Sequence, residues 1–483
     1  MRKHPSTSPA AEQEHATGAP GLTRRGFLGA LGGLTAASLL AGNRVAGPHR
    51  PPDNAMLPKP TPEQLAWQDL EVGMFFHFGM RTYDDSQGYP PPDPSLYNPT
   101  ELDTDQWLEA ARALGAKYAV LVAKHNQGFL LWQSDAYPYG VRQSPWRGGK
   151  GDVVRDFIES CHRYGIQPGI YACVTTNVYL QSEDPGRVQG GDPERQRAYA
   201  RTCEQMLTEL WSRYGELTEI WFDGGVLPPE QGGPNVVPLI EKYQPHAMVF
   251  GGPATIRFVG NEHGHANYPC WATVPSMDSI NLPPPGQSRV DWCGFMGTGD
   301  PDGQVWLPAE CCVTVRDYEW FWKPDQEDKL YPPLEYLMGI YYQSVGRNCN
   351  LLFNANPDRR GLVPEADFQR YVEFGREIRR RFRHLVGETS GEGRLLELRL
   401  PGPRLVDHVV LMEDIAHGER VRKYEVQGRV GEEWRPLCDG QSIGHKRIQE
   451  FPPVEVSAVR LRVRSSVEVP LIRKLQVYCA AGT

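Results

Sequence analysis

Two acidic residues of this sequence follow apolar runs, where a carboxyl group could serve in acid–base or nucleophilic chemistry. Asp223 follows the apolar run 220–222 and precedes two glycines, and Glu262 follows a second apolar stretch, again among glycines. A charge at the end of a buried strand is normally avoided because its removal from water is costly. Two such carboxyl groups predict a nucleophile and a general acid. Their separation would be about 5–5.5 Å for retention of configuration and about 6.5–9.5 Å for inversion.

Each of the acidic candidates also has a structural interpretation. Asp223 alternatively caps the turn that follows it, since aspartate is common in turns. Glu310, which follows a proline and an alanine, is a rival for the acid role. The alternative for this residue is an ion pair with the nearby Arg316. The sequence leaves both choices open.

Two histidines end apolar runs in the same way as the acids. At the positions of His77 and His125, a neutral imidazole would exchange hydrogen bonds with sugar hydroxyl groups. Satisfied core histidines are the alternative. His263 and His265 form an H-x-H pair beside Glu262, which we interpret as support for the loop of that acid. No H-E-x-x-H occurs, so we predict no metal and no cofactor. The one G-x-S-x-G, residues 440–444, lies among the C-terminal strand segments rather than between a strand and a helix, so we predict no serine nucleophile.

Apolar runs and amphipathic helices alternate over residues 62–385 and would position these side chains. Apolar residues at helical spacing predict a helix before residue 115, and Gly165 and Asp192 predict the end of one helix and the cap of another. Strands that alternate with helices are typical of parallel sheets. We therefore predict a (β/α)8-like TIM barrel of the α/β class. The runs that predict strands are 72–79, 117–125, 166–173, 219–225, 247–252 and 349–355.

A doubly wound open sheet is the alternative to the barrel. Its strongest signature is a G-x-G-x-x-G turn after the first strand, and no such turn follows residues 72–79. In a barrel, the reacting groups gather at the carboxyl ends of the strands. The barrel therefore predicts that both acids and both histidines lie together at one end.

The pattern changes after residue 385 from strands with helices to strands without them. Short segments there alternate apolar and polar residues and are separated by turn residues. Over residues 390–483 this pattern predicts a C-terminal antiparallel β-sandwich of ordinary size. The predicted strands are 395–400, 408–412, 423–430, 434–438, 456–464 and 471–479.

The first 46 residues have the features of an export signal rather than of a folded domain. Arg24 and Arg25 precede the Gly/Ala/Leu stretch 29–42, as in twin-arginine signals. That stretch is shorter than the about 20 apolar residues of a transmembrane helix, so we predict no membrane span in the mature chain. Residues 1–46 are predicted to be a signal peptide and residues 47–61 a proline-rich linker. We expect the mature protein to be secreted or extracytoplasmic in a bacterium.

Composition limits the partners of the protein. The formal net charge is −8 and no long basic run occurs, so we expect neither nucleic acid nor an anionic lipid surface to bind. Ten cysteines in 483 residues are too few for a disulfide scaffold, and we expect most of them to be free packing thiols. The 12 tryptophans and 21 tyrosines supply flat apolar faces that suit sugar rings.

Taken together, these segments resemble glycoside hydrolase family 29, the α-L-fucosidases, from Trp67 to Cys479. Residues 72–79 resemble the family's strand that ends in His-x-Gly, and residues 115–129 resemble its Lys-His strand. Residues 221–224 are similar to the stretch that bears the family's nucleophile. Residues 260–262 resemble the acid/base element of the branch that cleaves α-1,3 and α-1,4 fucosyl linkages. Further segments that look like this branch are 306–310, 350–354, 413–421 and 443–447.

The resemblance implies a function and the roles of individual residues. It implies an exported, exo-acting, retaining α-L-fucosidase without cofactor or metal, whose partner is a fucosylated glycan. Asp223 would be the nucleophile and Glu262 the general acid and base. The residues that would contact the sugar are His77, His125, Asn126, Trp221 and Trp320.

Two departures from the family pattern concern hydroxyl recognition. Relatives commonly carry two adjacent histidines and an aspartate where this chain has His125, Asn126 and Gln127. The family's acidic-aromatic segment after the first strand is replaced here by residues 84–89. A related glycosidase with another preference, such as for α-L-galactosides, is therefore an alternative. A non-catalytic glycan-binding protein is a third hypothesis, which the presence of both acids disfavours.

Overall fold

The computed structural model describes residues 57–277, 294–316, 319–326, 329 and 333–480. The predicted signal, residues 1–46, and most of the predicted linker lie outside these ranges. No helix within them is long and apolar enough to span a membrane.

Helices and strands alternate through the first part of the described chain, and strands with one short 3₁₀ turn at Ile415–His417 follow Arg381. The helices are α1 (Pro62–Gln68), α2 (Met80–Tyr83), α3 (Thr104–Leu114), α4 (Val153–Tyr164), α5 (Pro193–Arg213), α6 (Val237–Tyr243), α7 (Gly294–Thr298), α8 (Leu334–Gln343) and α9 (Glu365–Arg381). The strands among them are β1 (Val72–Phe76), β2 (Tyr118–Lys124), β3 (Gln167–Ala172), β4 (Ser182–Glu183), β5 (Arg187–Val188), β6 (Glu219–Trp221), β7 (Met248–Phe250), β8 (Arg257–Phe258), β9 (Thr273–Val274), β10 (Val305–Trp306), β11 (Ala309–Val313) and β12 (Cys349–Ala355). The C-terminal strands are β13 (Leu385–Glu392), β14 (Leu395–Glu413), β15 (Val421–Val430), β16 (Glu433–Gly440), β17 (Arg447–Ser466) and β18 (Leu471–Tyr478).

Eight strands form a parallel sheet that curls into a nearly closed barrel, which confirms the predicted fold class. Their order is β7-β6-β3-β2-β1-β12-β11-β8. Strand β1 pairs with β2 and β12, with Gly73 beside Tyr118 and Val72 beside Leu351. A parallel bridge joins Phe250, at the end of one edge strand, to the segment before the other edge strand. The carboxyl ends of the eight parallel strands therefore lie at one end of the barrel.

Strands at the centre of this sheet are buried on both faces. Every residue of β1, β2 and β12 is buried. Helices cover the outside of the sheet, as where Trp107 of α3 and Phe157 of α4 pack on Phe76. Strands covered in this way have continuous apolar runs, which explains why the sequence predicts them well.

The helix boundaries follow the capping signals of the sequence. The Asp103 side chain accepts backbone hydrogen bonds at the start of α3, and Asp192 does the same at the start of α5. Gly165 ends α4 with a φ of 64°, a left-handed conformation that glycine adopts without steric cost. The predicted cap at Asp192 and the predicted end at Gly165 are confirmed.

Strand β11 is not predicted by the sequence. Glu310 at its second position interrupts the apolar pattern of a buried strand. All five residues of β11 are nevertheless buried, because hydrogen-bond donors inside the barrel satisfy the Glu310 carboxyl group. A buried charge that is partnered by tertiary contacts is invisible to an analysis of local pattern.

The C-terminal strands form an antiparallel sheet in the order β13-β18-β14-β17-β15-β16, folded around one apolar core. The predicted strands 395–400 and 408–412 are both parts of β14. The residues between them lie at a register shift against β17, between Arg399 and Arg404. An irregularity of the pairing therefore replaces the predicted turn, which keeps one long strand continuous.

The C-terminal sheet contacts the barrel through a buried carboxyl group. Glu419 accepts hydrogen bonds from the Ala272 backbone and, at 2.6 Å, from the Asn348 amide. Burial and the neighbouring Glu413 raise the pKa of Glu419 to about 7. The C-terminal sheet thus packs on the segments that contain Ala272 and Asn348. The domain boundaries stated from the sequence stay predictions.

Candidate active site

A cavity of about 1050 Å³ opens at the carboxyl ends of the barrel strands. Ligand pockets commonly have volumes of about 300–1,000 Å³, so this cavity is at the upper end of that range. Its wall includes His77 after β1, His125 after β2, Asp223 after β6 and Glu262 after β8. The four side chains that end separate runs of the sequence therefore meet in one cavity.

Asp223 is exposed to the cavity and oriented by residues of the neighbouring strand. The Tyr171 hydroxyl donates to Asp223 Oδ2 at 3.0 Å, and Thr175 Oγ1 donates to the Asp223 backbone carbonyl at 3.1 Å. Gly224 and Gly225 follow with φ values of 71° and 87°. The chain can turn away here only because glycine tolerates this left-handed conformation, so the acid is left at the open end of the strand.

Glu262 lies in the loop after β8. Its Oε2 atom accepts a hydrogen bond from Trp320 Nε1 at 3.2 Å. Burial raises the pKa of Glu262, the Trp320 hydrogen bond lowers it, and the charge of Asp223 raises it further. A carboxyl group with a raised pKa retains a proton that it can donate, which is the property of a general acid.

The loop of Glu262 is held by the polar residues around it. Asn261 Oδ1 accepts from the His263 backbone at 3.0 Å, and Asn261 Nδ2 donates to the His265 carbonyl at 2.8 Å. The two histidine rings stack with their centroids 5.8 Å apart. These contacts agree with the interpretation that the H-x-H pair supports the loop.

His77 is a neutral hydrogen-bond acceptor towards the cavity. Its Nδ1 atom lies 2.6 Å from Asn354 Oδ1, while Asn354 Nδ2 donates to the Trp320 carbonyl and to Asn356 Oδ1. These bonds define the Asn354 oxygen as the acceptor, so Nδ1 of His77 carries the proton. Burial, followed by the charge of His125, lowers the pKa of His77 well below its usual range. The Nε2 atom of a neutral ring in this tautomer accepts hydrogen bonds.

The same arrangement holds His125 in the neutral form. Its Nδ1 atom lies 2.6 Å from Asn126 Oδ1, and Asn126 Nδ2 donates to Gln87 Oε1 at 2.8 Å. The ring stacks on Tyr171 at 5.7 Å with an interplanar angle of 5°. Burial, followed by the charge of Arg81, lowers the pKa of His125 to about 3. Asn126 thus orients His125, and it is not among the described residues that line the cavity.

Trp221 and Trp320 both line the cavity, and their contacts with a sugar stay predictions. Trp221 stacks on Phe250 at 3.8 Å and on Tyr171 at 5.4 Å, and it forms part of the cavity wall beside Asp223. Trp320 packs against His77 at 5.0 Å and donates to Glu262. One ring therefore supports the aspartate side of the cavity and the other supports the glutamate side.

Glu310 lies in the barrel interior rather than at the cavity. It has no exposed surface, and its two oxygens accept hydrogen bonds from Tyr118 at 2.6 Å and from Trp221 at 3.1 Å. The predicted ion pair with Arg316 is wrong, because Arg316 pairs with Asp367 at 2.6 Å. The structure therefore gives Glu310 no position from which it reaches a leaving oxygen in the cavity.

Glu219 forms a carboxyl pair with Glu310. Glu219 accepts from Trp67 Nε1 at 2.9 Å, and its other oxygen has no hydrogen-bond donor among the described residues. Burial and the charge of Glu310 raise the pKa of Glu219 well above its usual range, and burial raises the pKa of Glu310 to about 7. These shifts favour a protonated carboxyl group in the pair, which would satisfy the remaining oxygen.

Arg81 and Tyr171 line the cavity but are not predicted by the sequence. Arg81 lies on α2, pairs with Asp85 at 2.6 Å and stands 5.0 Å from the centre of the Phe321 ring. Tyr171 lies inside an apolar run, where a core role is the simplest expectation. The signal for Arg81 is its distance of only four residues from His77, which places it beyond the same strand end.

The two departures from the family pattern are joined in the structure. Gln127 Nε2 donates to the Asp84 carbonyl at 2.9 Å and to the Ser86 carbonyl, and Asn126 donates to Gln87. Substitutions that are distant in sequence therefore form one hydrogen-bonded unit behind His125. Within the described residues, no cluster of three or more metal-ligating side chains occurs.

A comparison with protein-family models matches residues 81–380 to a family described as Alpha-L-fucosidase. The chain is 33% identical to a protein of Oryza sativa subsp. japonica assigned as alpha-L-fucosidase 1, over 93% of this chain and 90% of that protein. It is 32% identical to Alpha-L-fucosidase 1 of Arabidopsis thaliana, over 92% of each.

Similarity also extends to solved structures. A crystal structure of a protein assigned as an alpha-L-fucosidase from Bacteroides thetaiotaomicron VPI-5482 is 41% identical, with a TM-score of 0.82. The match covers 88% of this chain and 99% of that one. The agreement in sequence and in fold extends over the barrel and the C-terminal sheet together.

Proposed function

We propose that this chain, which belongs to the α-L-fucosidase family and is a glycoside hydrolase, is an exo-acting, retaining enzyme that removes terminal α-linked L-fucose from glycans. The observation that carries the proposal is the pair Asp223 and Glu262. Both line one cavity, and the charge of one raises the pKa of the other. Two carboxyl groups in one cavity, one of them with a raised pKa, are the machinery of acetal cleavage.

In the first step, the Asp223 carboxylate attacks the anomeric carbon of the fucosyl unit. A bond forms between an Asp223 oxygen and this carbon as the bond to the leaving oxygen breaks. Glu262 transfers its proton to the leaving oxygen, so that the aglycone departs as an alcohol. The hydrogen bond from Tyr171 holds the attacking carboxylate in place. The product of this step is a covalent glycosyl-enzyme.

In the second step, water releases the sugar. Glu262, now ionised, accepts a proton from the water as the water oxygen attacks the anomeric carbon. The bond to Asp223 breaks, and both carboxyl groups return to their starting states. Two inversions at one carbon give net retention.

The neutral histidines explain how the site binds hydroxyl groups without adding charge. His77 and His125 each have Nδ1 occupied by an asparagine oxygen, which leaves Nε2 as an acceptor for a sugar hydroxyl proton. Trp221 and Trp320 supply ring faces at the two sides of the cavity. Apolar sugar faces stack on such rings while hydroxyl groups bond at the rim.

For the linkage, we propose the α-1,3 and α-1,4 fucosyl bonds. The support is the resemblance of residues 260–262 and 306–310 to the branch of the family that cleaves these bonds. An α-L-galactosidase preference is the second candidate, because Asn126, Gln127 and Gln87 form the unit that orients His125. Replacing Gln87 by alanine would then change the ratio of kcat/KM for aryl α-L-fucoside over aryl α-L-galactoside.

For the location, we propose export by the twin-arginine route in a bacterium. The support is the sequence of residues 23–28, in which two arginines precede an apolar stretch. A fusion of residues 1–46 to a folded reporter tests this proposal. Loss of export when Arg24 and Arg25 are replaced by lysine is the expected result.

Turnover and stereochemistry test the proposed reaction directly. Proton NMR of the first sugar released from an aryl α-L-fucoside should show the α anomer before mutarotation. Asp223→Ala should abolish turnover of the fucoside and leave sugar binding measurable. Appearance of the β anomer would refute retention, and turnover that survives Asp223→Ala would refute the nucleophile assignment. Binding without turnover in the wild-type protein would leave only the glycan-binding hypothesis.

A further inference from the structure

A buried lysine lies beside the cavity and has no part in the steps above. Lys124 is the last residue of β2, and only 1% of its surface is exposed. Its Nζ atom donates to the Cys173 carbonyl at 2.6 Å and to the Thr176 carbonyl at 2.7 Å. Both partners are neutral, whereas a buried ammonium group is normally paired with a carboxylate. The position of this charge therefore needs an explanation.

The segment that Lys124 holds, residues 173–176, in turn holds Asp223. Thr175, in the middle of the segment, donates its hydroxyl to the Asp223 backbone carbonyl at 3.1 Å. The segment continues β3, whose Tyr171 hydroxyl donates to the Asp223 carboxylate. Lys124 is thus connected to both the backbone and the side chain of Asp223 through one short stretch of chain.

The charge of Lys124 also acts on the site. Burial lowers the pKa of Lys124, and the groups that raise it are Cys173, Cys203 and Asp223. Burial raises the pKa of Cys203 to about 12, so that thiol is uncharged at neutral pH. The ammonium group also contributes, after burial and Arg81, to the lowered pKa of His125. Lys124 therefore lies within electrostatic range of both Asp223 and His125.

We propose that Lys124 is a positioning residue for Asp223, which fastens segment 173–176 to β2 and holds a buried positive charge against the segment that bonds the nucleophile. The inference rests on the proposed role of Asp223. A fixed segment holds the carboxylate at the distance that attack requires, and a misplacement of 1 Å can cost about 10²-fold in rate. A nearby positive charge favours the ionised carboxylate and the neutral imidazole, the two forms that the mechanism uses.

Lys124→Met tests both parts of the proposal, because methionine has nearly the same length and no charge. We expect the rate of glycosyl-enzyme formation from an aryl α-L-fucoside to fall about 10²-fold, while KM changes only a few-fold. The acid limb of kcat/KM, which reports ionisation of the nucleophile in the free enzyme, should move to higher pH by about one to two units. The titratable groups with an electrostatic interaction to Asp223 include the cationic Lys124 and also Tyr171, Glu262 and Cys312.

Two further variants separate position from charge. Thr175→Val removes the hydroxyl that holds the Asp223 backbone and keeps the lysine, so it should slow glycosyl-enzyme formation without moving the acid limb. Lys117→Met is the matched control, since Lys117 is exposed and immediately precedes the same strand. It should leave both the rate and the pH profile unchanged.

The thermal midpoint of each variant establishes that the measured protein is folded. A folded Lys124→Met protein with the wild-type acid limb would overturn the charge role, and a wild-type rate of glycosyl-enzyme formation would overturn the positioning role. If Lys124→Met fails to fold, a Thr175→Val protein with the wild-type rate overturns the positioning role by itself. Failure of the proposed function is recognised separately, because Asp223→Ala would then retain turnover.

Discussion

Two pairs of carboxyl groups lie in the same barrel, and their surroundings differ completely. Asp223 and Glu262 line the cavity at the strand ends, where substrate and water reach them. Glu219 and Glu310 lie in the interior, without exposed surface, and accept hydrogen bonds from tryptophan and tyrosine side chains. We call these the open pair and the sealed pair.

The comparison teaches that a raised pKa does not by itself identify a catalytic acid. Burial raises the pKa of Glu262 in the open pair and of both members of the sealed pair. All three groups hold protons more tightly than an exposed glutamate does. Only the open pair has room for a substrate, so access rather than proton affinity distinguishes chemistry from structure.

The largest expected effect comes from Glu262, because its proton is needed by a poor leaving group. Glu262→Gln should lower kcat by about 10²–10⁴-fold on a fucosylated oligosaccharide, and by much less on an aryl fucoside that leaves without protonation. The two substrates are compared by steady-state kinetics. Glu219→Gln in the sealed pair is the matched control and should change kcat less than tenfold. Equal losses in the two variants would remove the distinction between the pairs.

The sealed pair should instead control how stability depends on pH. The folded protein holds protons that the unfolded chain releases between pH 4.5 and about 7, so its free energy of unfolding falls as the pH rises through that window. One carboxyl group with this shift lowers the free energy of unfolding by about 3 kcal/mol as the pH rises through the window. Below pH 4.5 the group is protonated in both the folded and the unfolded state, so its contribution to stability is fully present there. Denaturant titrations at several pH values measure the fall.

The variant Glu219→Gln tests whether the sealed pair causes this pH dependence of the free energy of unfolding. Glutamine imitates the protonated glutamate, since its oxygen accepts from Trp67 and its amide donates towards Glu310. Only one carboxyl group of the sealed pair then titrates, so the fall in the free energy of unfolding should be smaller than in the wild-type protein. An identical pH dependence in the two proteins would mean that the pair does not hold the proton inferred here.

The smallest expected effect comes from Trp221, which touches both regions. Trp221→Phe removes the donor to Glu310 and should lower the free energy of unfolding by about 1–3 kcal/mol, more at pH 8 than at pH 5 because an ionised Glu310 needs that donor more. KM for an aryl fucoside should rise a few-fold because the cavity wall loosens. Trp211→Phe is the control, since Trp211 is buried and its Nε1 has no partner among the described residues. A cost for Trp221→Phe no larger than the control's would contradict the prediction.

The sequence predicts those parts of the barrel in which local pattern and burial coincide. The run 349–355 is strand β12 residue for residue, and the helix cap at Asp192 lies where predicted. Strand β11 escapes prediction because Glu310 interrupts its apolar run, and the donors that make the burial of Glu310 tolerable come from β2 and β6. Local pattern does not contain those partners.

The residues of the candidate site also fall into two groups, those that the local sequence pattern predicts and those that depend on tertiary contacts. Asp223, Glu262, His77 and His125 are found because each is a polar residue at the end of an apolar run, and parallel strands end at one face. Arg81, Tyr171 and Lys124 are not found, because their roles depend on contacts with other strands and loops. Asn126 orients His125, and its predicted contact with the sugar stays a prediction.

The sequence by itself determines the fold class of this protein, because residue types and their spacing show the alternation of apolar runs and helices. They also show that acidic residues follow the strands. Only the tertiary structure decides which acids face a cavity and which are sealed, which tautomer each histidine adopts, and where the charge of Lys124 acts. The physical reason is that proton affinity and hydrogen-bond direction depend on burial and on partners from distant segments, which are brought together only when the barrel forms.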